Sequence, residues 1–172
     1  MLDDVDRQIL EILQSDGRTS NAELARRVHM APSAVFERVR RLEQRGVILG
    51  YGARIDPRVV DRSLLAFVLV RCDERTGEIS TGEALAEVSE VLEVHHVAGQ
   101  DSYLVKVRVK DPESLGRLLR ERFGAITTVR STQSTIALET LKEQWAIPVN
   151  VEPAPAAGKG KNGARDAEKS RA

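Results

Sequence analysis

The spacing of apolar residues changes once along this chain, from the period of a helix to a mixture of strand and helix patterns. Up to Gly46 the apolar residues recur every three or four positions, as on one face of an amphipathic helix. From Leu64 to Thr140, apolar runs typical of strands alternate with helix signals. Asp56-Pro57 lies between the two patterns, where proline disfavours helix in the residue before it. The sequence therefore predicts an α+β protein in four segments: a first domain at 1–55, a linker at 56–62, a second domain at 63–149 and a tail at 150–172.

The composition of the tail differs from that of the rest of the chain. It begins with a stretch rich in Pro, Ala, Gly and Lys and continues with mixed charges. A segment with so few large apolar side chains cannot bury enough surface to offset the entropy of folding. We therefore expect residues 150–172 to be disordered.

Capping signals divide the first domain into three short helices. Asp3 or Asp4 can cap the first helix, and Ser20-Asn21-Ala22-Glu23 is a capping-box pattern that opens the second. Pro32 suits the first turn of the third helix. Glycine favours the left-handed conformation that ends many helices, so Gly46 is predicted to stop the third helix.

The second and third helices are joined by a short turn, His29-Met30-Ala31, and together they form a helix-turn-helix. The stretch that follows, 47–55, contains apolar residues and glycines. We expect it to form a short hairpin that acts as a wing. The first domain is therefore predicted to be a winged helix-turn-helix.

The third helix presents a face that suits contact with DNA bases. Val35, Val39 and Leu42 form a narrow apolar stripe, so the rest of the helix surface is left to polar and cationic groups. The predicted base contacts on that surface are Ser33, Phe36, Glu37, Arg40, Arg41 and Gln44. Arginine can pair with guanine, glutamate can accept from cytosine and phenylalanine can touch a thymine methyl group. The other predicted DNA contacts are Arg18, Ser20, Arg26, Arg27 and Arg54, whose guanidinium groups can hold phosphates.

The distribution of charge supports this prediction. The whole chain has 26 basic and 26 acidic residues, but residues 18–54 contain eight Arg and only three Glu. Residues 61–150 contain 11 basic and 14 acidic groups. A basic N-terminal segment and a mildly acidic remainder indicate that the two domains meet different partners. The alternative for the first domain is a small helical bundle whose arginines are simply solvated.

The second domain follows the order βαββαβ. Strands are predicted at 64–71, 91–98, 103–110 and 129–140. Ser80-Thr81-Gly82-Glu83 is expected to cap one helix, with Ser80 as the cap, and Asp111-Pro112 to start another. This order is typical of a ferredoxin-like unit, in which both helices cover one face of a four-stranded sheet. Because the strand from Leu64 to Val70 is apolar on both sides, the other sheet face also requires cover. We expect a second copy of the chain to supply it in a homodimer.

The sequence disfavours several classes of protein. The longest apolar run, from Leu64 to Val70, is far shorter than the roughly 18 to 20 residues that cross a bilayer, so we expect no membrane partner. Cys72 is the single cysteine, which excludes an intramolecular disulfide and fits the cytoplasm. His95 and His96 should point to opposite faces of a strand and cannot chelate one metal ion together. With no nucleotide-binding glycine loop, zinc spacing or serine-hydrolase motif, we expect no catalysis, metal or cofactor.

A long, ordered set of short motifs runs through both predicted domains. The motifs are Leu2 to Leu10, Gly17-Arg18, Glu23-Leu24-Ala25, Val35, Arg38-Val39, Arg41-Leu42-Glu43, Gly46-Val47-Ile48, Gly50-Tyr51, Asp56-Pro57, Val97-Ala98-Gly99, Tyr103 and the last predicted strand. They closely resemble the Lrp/AsnC (feast/famine) family of bacterial and archaeal transcription regulators. The resemblance covers about residues 2 to 145.

The resemblance implies a winged helix-turn-helix for DNA and a ligand-sensing domain of ferredoxin-like fold. Family members are dimers that often assemble to tetramers or octamers, and amino acids or related metabolites bind between dimers near a glycine turn. In this chain that turn is Gly99 to Tyr103. Where the family has glycine, two variable residues, aspartate and an aromatic, Ser102 stands in the place of the aspartate and Asp101 comes one residue earlier. This departure resembles actinobacterial members linked to alanine metabolism. A second departure is Ala31, where the family usually has a capping Ser or Thr.

The resemblance and the side-chain chemistry together predict an effector site. An amino acid needs acceptors for its ammonium group and N–H or hydroxyl donors for its carboxylate. The predicted effector-binding residues are Val97, Gly99, Gln100, Asp101, Ser102, Tyr103, Thr132, Ser134 and Thr135. Without the resemblance, these residues also fit an ordinary hairpin turn and a threonine-rich strand. The predicted function is a sequence-specific DNA-binding transcriptional regulator that responds to an amino acid, and the alternative is an amino-acid-binding module without specific DNA recognition.

Overall fold

The computed structural model describes residues 1–75, 77–99 and 102–149. The described residues form two compact units: a helical unit, Met1–Gly52 with residues 144–149, and a sheet unit, Ala53–Glu143. Residues 144–149 thus belong with the helices, whereas the sequence pattern predicts them in the second domain. The predicted disordered tail, 150–172, lies outside the described residues. In the described part of the chain, no helix is long and apolar enough to cross a membrane.

The three predicted helices of the helical unit are confirmed. They are α1 (Asp4–Ser15), α2 (Asn21–Arg27) and α3 (Pro32–Gln44). Their inward faces form one core of buried apolar side chains: Ile9, Leu10, Ile12, Leu24, Ala25, Val28, Val35, Val39 and Leu42. Asp3 caps α1 in a complete capping box with Asp6. Ser20 caps α2 by accepting from the Glu23 N–H at 3.2 Å, while the Glu23 carboxylate turns to Arg26 instead of following the predicted box pattern.

A left-handed residue follows each helix of the helix-turn-helix. His29, in the turn after α2, has a φ of 54°, and the next N–H donates to the Ala25 carbonyl at 3.0 Å. Gly46, after α3, has a φ of 66°, and the next N–H donates to the Leu42 carbonyl at 2.9 Å. Both are Schellman-type closures, which give the last carbonyls of a helix their donors. The predicted turn and the predicted stop at Gly46 are therefore confirmed.

The expected hairpin at 47–55 is wrong for the single chain, because none of these residues is in a strand. Two short strands alone are marginally stable, and Gly50 and Gly52 contribute no side chain that a hairpin could pack. Leu49 and Ile55 are 94% and 62% exposed. Tyr51 instead lies against the helices, where its hydroxyl donates to Glu43 at 3.0 Å.

The sheet unit has the predicted ferredoxin-like order. After a 3₁₀ turn at Pro57–Val60, its elements are β1 (Leu64–Cys72), α4 (Ser80–Ala86), β2 (Val91–His96), β3 (Tyr103–Val109), α5 (Pro112–Leu118) with a π-helical turn at Leu119–Phe123, and β4 (Val129–Ile136). The strands form one antiparallel sheet in the order β2-β3-β1-β4. The last strand ends at Ile136, four residues before the predicted end.

One sheet face carries the core and the other is only partly covered. Ala66, Val68 and Val70 of β1 pack with α4 and α5 in a single buried cluster. On the opposite side, which we call the open face, Leu65 is buried but Phe67 is 37% exposed. The predicted apolar character of both sides of β1 is therefore confirmed.

An ion cluster crosses β3 on the open face. The Lys106 ammonium lies 2.9 Å from a Glu93 carboxylate oxygen and 2.7 Å from one of Glu143, and Arg108 lies 2.8 Å from the other Glu143 oxygen. Burial opposes the charge on Lys106, but the two carboxylates outweigh it and raise the pKa of the ammonium. Glu143 follows β4 in the sequence, so its segment is tied across the sheet to β3.

Candidate functional site

The outward surface of α3 is polar, cationic and exposed. All six predicted base-contacting side chains are exposed: Ser33, Phe36, Glu37, Arg40, Arg41 and Gln44. The aromatic ring of Phe36 is among them, at 50% exposure, with no place in the core. Glu37 and Arg40 lie 3.8 Å apart with more than half of each side chain exposed, a distance and exposure at which an ion pair is weak. Both groups are therefore accessible to a ligand.

The predicted DNA contacts outside α3 fall into three groups in the structure. Arg18 and Arg27 are exposed on the helical unit. Arg26 makes two hydrogen bonds to the Glu23 carboxylate, at 2.9 and 2.6 Å, and the oxygen of Ser20 serves as the cap of α2. Arg54 belongs to the sheet unit, where its guanidinium donates to the Glu143 carbonyl at 2.8 Å.

The predicted effector turn joins β2 to β3. Its backbone is closed by the Val97 N–H, which donates to the Ser102 carbonyl at 2.9 Å, and the Ser102 N–H donates to the Val70 carbonyl of β1 at 2.9 Å. Gly99 has a φ of 141°, a conformation that side-chain-bearing residues rarely adopt. Gln100 and Asp101, also predicted here, lie outside the described residues.

Tyr103 differs from the other predicted effector residues that the structure describes because it is buried. Only 2% of it is exposed, and its ring stacks on His96 with the ring centres 5.1 Å apart. Its hydroxyl donates to Glu74 at 3.0 Å. Burial, followed by the neighbouring Glu74 carboxylate, raises the pKa of Tyr103 to about 12. The ring is thus part of the core below the turn.

Glu74 holds this region together, although the sequence did not predict a role for it. Its carboxylate accepts hydrogen bonds from the Cys72 thiol at 3.3 Å, the Ser80 hydroxyl at 3.0 Å, the Thr81 N–H at 2.5 Å and the Tyr103 hydroxyl at 3.0 Å. Ser80 was expected to cap α4, but it is the first residue of the helix. The Glu74 carboxylate, which lies outside the helix, accepts the Thr81 N–H of its first turn instead. No motif in the sequence marks this role, because the contact depends on how β1, α4 and β3 pack.

The register of β4 divides the predicted threonine cluster. Thr132 and Tyr103 are both paired with Val70, so they flank the same residue of β1 on the same sheet face. Ser134 lies two residues further along on that face, whereas Thr135 pairs with Phe67 on the open face. The structure therefore brings Thr132 near the turn and does not bring Thr135 there.

The histidines do not form a metal site. His95 pairs with Leu104 and His96 with Tyr103, which places the two rings on opposite sheet faces as predicted. His95 lies 3.2 Å from Glu93 on the open face. Over the described ranges, no group of three or more metal-ligating side chains comes together.

The chain is similar to known proteins across both units. It matches the AsnC-type helix-turn-helix domain over residues 2–43 and the Lrp/AsnC ligand binding domain over residues 65–147. The leucine-responsive regulatory proteins of Klebsiella pneumoniae and Escherichia coli (strain K12) are each 39% identical to it over 144 residues, which is 83% of this chain and 88% of theirs.

Solved structures show the same similarity. A transcriptional regulator from Neisseria meningitidis in complex with L-methionine has a TM-score of 0.79 at 28% identity, covering 87% of this chain and 98% of that one. A feast or famine regulatory protein from M. tuberculosis, complexed with L-methionine, has a TM-score of 0.79 at 39% identity, covering 86% and 99%.

Proposed function

This chain belongs to the Lrp/AsnC family of transcriptional regulators, and from that premise we propose that α3 reads base edges of double-stranded DNA under the control of a bound amino acid. The family consists of DNA-binding regulators rather than enzymes. The observation that carries the proposal is the surface of α3. Arginine, glutamate, glutamine, serine and phenylalanine side chains are exposed there, outside the buried apolar stripe of the helix. These groups match the donors, acceptors and methyl groups of the major groove.

Substitution of Arg40 tests base reading directly. The wild-type protein would first select its tightest duplex from a random pool, and binding would be measured by fluorescence anisotropy. Arg40→Ala should weaken binding to that duplex by about 1 to 3 kcal/mol and relax the preference at one base pair. Arg117→Ala is the matched control, since this arginine is 55% exposed on the sheet unit and should leave binding unchanged. Equal weakening by Arg40→Ala on every sequence would contradict base reading, and amino-acid binding without any specific duplex would favour the alternative module.

We further propose that the amino acid binds at the turn between β2 and β3, with Thr132 beside it. Two similar proteins of known structure carry L-methionine, and turns of this kind offer backbone N–H donors. Ser102 stands where the family has aspartate, and in this the chain resembles members linked to alanine metabolism. L-Alanine is therefore a second candidate. Calorimetric titration with L-methionine, L-leucine and L-alanine would identify the effector. Gly99→Asp or Asp101→Ala should abolish the response while DNA affinity is largely retained, and an unchanged response would refute this site.

Self-association is the third part of the proposal: a homodimer, assembling to a tetramer or octamer, acting on DNA in the cytoplasm. Phe67 on the open face is 37% exposed, and Leu138 and Leu141 after β4 are 100% and 88% exposed, so apolar surface is left without cover in one chain. Light scattering should show a particle of at least two chains. Phe67→Asp should shift it toward the monomer, and Glu113→Lys, on the exposed side of α5, should not.

A further inference from the structure

Arg38 lies in α3 but differs from its neighbouring arginines. Its Nη1 atom lies 2.6 Å from Oδ2 of Asp3 and 2.7 Å from Oδ1 of Asp6, at the N-terminus of α1. Its side chain is 23% exposed, whereas that of Arg40 is 56% exposed. Arg38 therefore faces the neighbouring helix rather than the outward surface of α3.

The two aspartates form an acceptor set that is fully used. Asp3 Oδ1 accepts the Asp6 N–H at 2.8 Å, and Asp6 Oδ2 accepts the Asp3 N–H at 3.3 Å. The remaining oxygen of each carboxylate accepts from Arg38, so all four oxygens have donors. Asp6 is only 9% exposed, and Arg38 is its cationic partner at 2.7 Å. The hydrogen bond from the Asp6 backbone, and then that from Arg38, lower the pKa of Asp3.

The apolar stripe of α3 and the Arg38 contacts orient this helix in different ways. Its buried stripe is three residues, Val35, Val39 and Leu42, and such side chains pack without directional bonds. A guanidinium held by two carboxylates is directional, because each N–H must point at its oxygen. A small rotation of α3 about its axis would break these bonds and would also move Glu37 and Arg40 relative to a base pair.

We propose that Arg38 is a positioning residue for DNA recognition: its contacts with Asp3 and Asp6 set the rotation of α3 against α1, and Arg38 itself touches no phosphate or base. This inference rests on the proposed function, in which α3 reads bases. It explains why an arginine on α3 is directed at the capping box of another helix.

The test compares specific and non-specific binding of Arg38→Gln. Affinity would be measured for the duplex selected by the wild-type protein and for a scrambled duplex of equal length, each over a range of salt. We expect at least a tenfold loss on the selected duplex, less than a twofold loss on the scrambled duplex, and an unchanged slope of log K against log salt. A loss of folded protein would lower both affinities equally, so the ratio separates positioning from general destabilisation.

Matched variants complete the experiment. Arg27→Gln, a predicted phosphate contact, should weaken both duplexes and reduce the salt slope by about 1. Asp6→Asn should reproduce Arg38→Gln, and the double variant should lose no more than either single one, since both remove the same contact. If Arg38→Gln fails to fold, Arg38→Lys, which keeps the charge but not the guanidinium fork, should show a smaller loss of the same kind.

Two results would overturn the inference while leaving base reading intact. A salt slope reduced by about 1 in Arg38→Gln, with both duplexes weakened, would make Arg38 a phosphate contact. An unchanged affinity ratio would show that these contacts do not position α3. Failure of the wild-type protein to select any duplex would instead reject base reading itself, and the inference with it.

Discussion

Gly82, in α4, makes room for the aromatic ring of Tyr103 below the turn between β2 and β3. A Cβ atom at this position would lie 2.6 Å from Cε1 of Tyr103, and that ring is 2% exposed and held by Glu74. Gly82→Ala should therefore lower the free energy of unfolding by about 1 to 3 kcal/mol, because overpacking displaces a fixed group. Urea denaturation would measure the loss.

Gly116→Ala, in α5, is the matched control for this prediction. The added methyl group would lie 3.2 Å from Nη1 of Arg120, the mobile end of a long side chain. Alanine is also favoured over glycine inside a helix by roughly 1 kcal/mol. Stability should be unchanged or higher in this variant. Equal losses of stability at both positions would mean that the contact with Tyr103 is not the cause.

Glu74 should make the stability of the protein sensitive to acid. Burial opposes the ionised form, but hydrogen bonds from Thr81, Cys72 and Tyr103 outweigh burial and lower the pKa of Glu74 from 4.5 to about 2. Since the pKa is lower in the folded state, the stabilisation is complete above the ordinary pKa and is lost as the pH falls toward 2. Glu74→Gln should therefore show a smaller fall in Tm than the wild type across this interval.

The control for the acid prediction is Glu113→Gln, since the Glu113 side chain is 84% exposed on α5. It should keep the pH dependence of the wild type, as measured by thermal denaturation followed by circular dichroism. A pH profile for Glu74→Gln that matches the wild type would refute the role assigned to this carboxylate.

At the scale of elements, the start of α3 lacks the side-chain cap that α1 and α2 have. Ala31 occupies the cap position with φ of −69° and ψ of 141°, the backbone conformation of a capping residue, but it makes no side-chain capping bond. Ala31→Ser would add an acceptor for the first N–H groups of α3. We expect the free energy of unfolding to rise by about 1 kcal/mol.

Ala34→Ser, inside the same helix, controls for the change of residue type. Serine is a poorer helix former than alanine, so this variant should lose up to about 0.5 kcal/mol. Opposite signs for the two variants, from urea denaturation, would assign the gain to capping. A loss at both positions would mean that solvent already satisfies the N-terminus of α3.

At the scale of the whole molecule, the helical unit is built from two separate stretches of the chain. After the sheet unit, the residues from Gln144 return to α1, where the Gln14 amide donates to the Ile147 carbonyl at 3.0 Å and accepts the Ile147 N–H at 2.6 Å. The Arg7 guanidinium donates to the Val149 carbonyl. The segment that follows the sheet unit is thus held to α1 of the helical unit by hydrogen bonds.

This returning segment gives a prediction for hydrogen exchange. In Gln14→Ala the Ile147 amide loses its acceptor, so it should exchange at least tenfold faster than in the wild type, as each factor of ten corresponds to about 1.4 kcal/mol of protection. Gln8→Ala, on an exposed position of α1, should not change the exchange of this amide. Equal protection in both variants would show that Gln14 does not hold the segment.

The sequence by itself determined the elements and their order. Capping residues such as Asp3 and Ser20, the stripe of Val35, Val39 and Leu42, and the alternation along β3 act over a few residues, so they can be read without knowing the fold. The same local patterns predicted which side of α3 would be exposed. The family motifs, which are spread along the chain, supplied the function.

Only the tertiary structure decided which distant groups meet. The inward Tyr103, the four donors to Glu74, the division of Thr132 from Thr135 and the contact of Arg38 with α1 all depend on strand register and on helix packing. The expected hairpin at 47–55 was wrong for a related reason, since local strand propensity does not decide whether two short strands find a further strand to pair with. Contacts between residues far apart in the chain produce no periodic pattern in the sequence, because each partner alone is compatible with many arrangements.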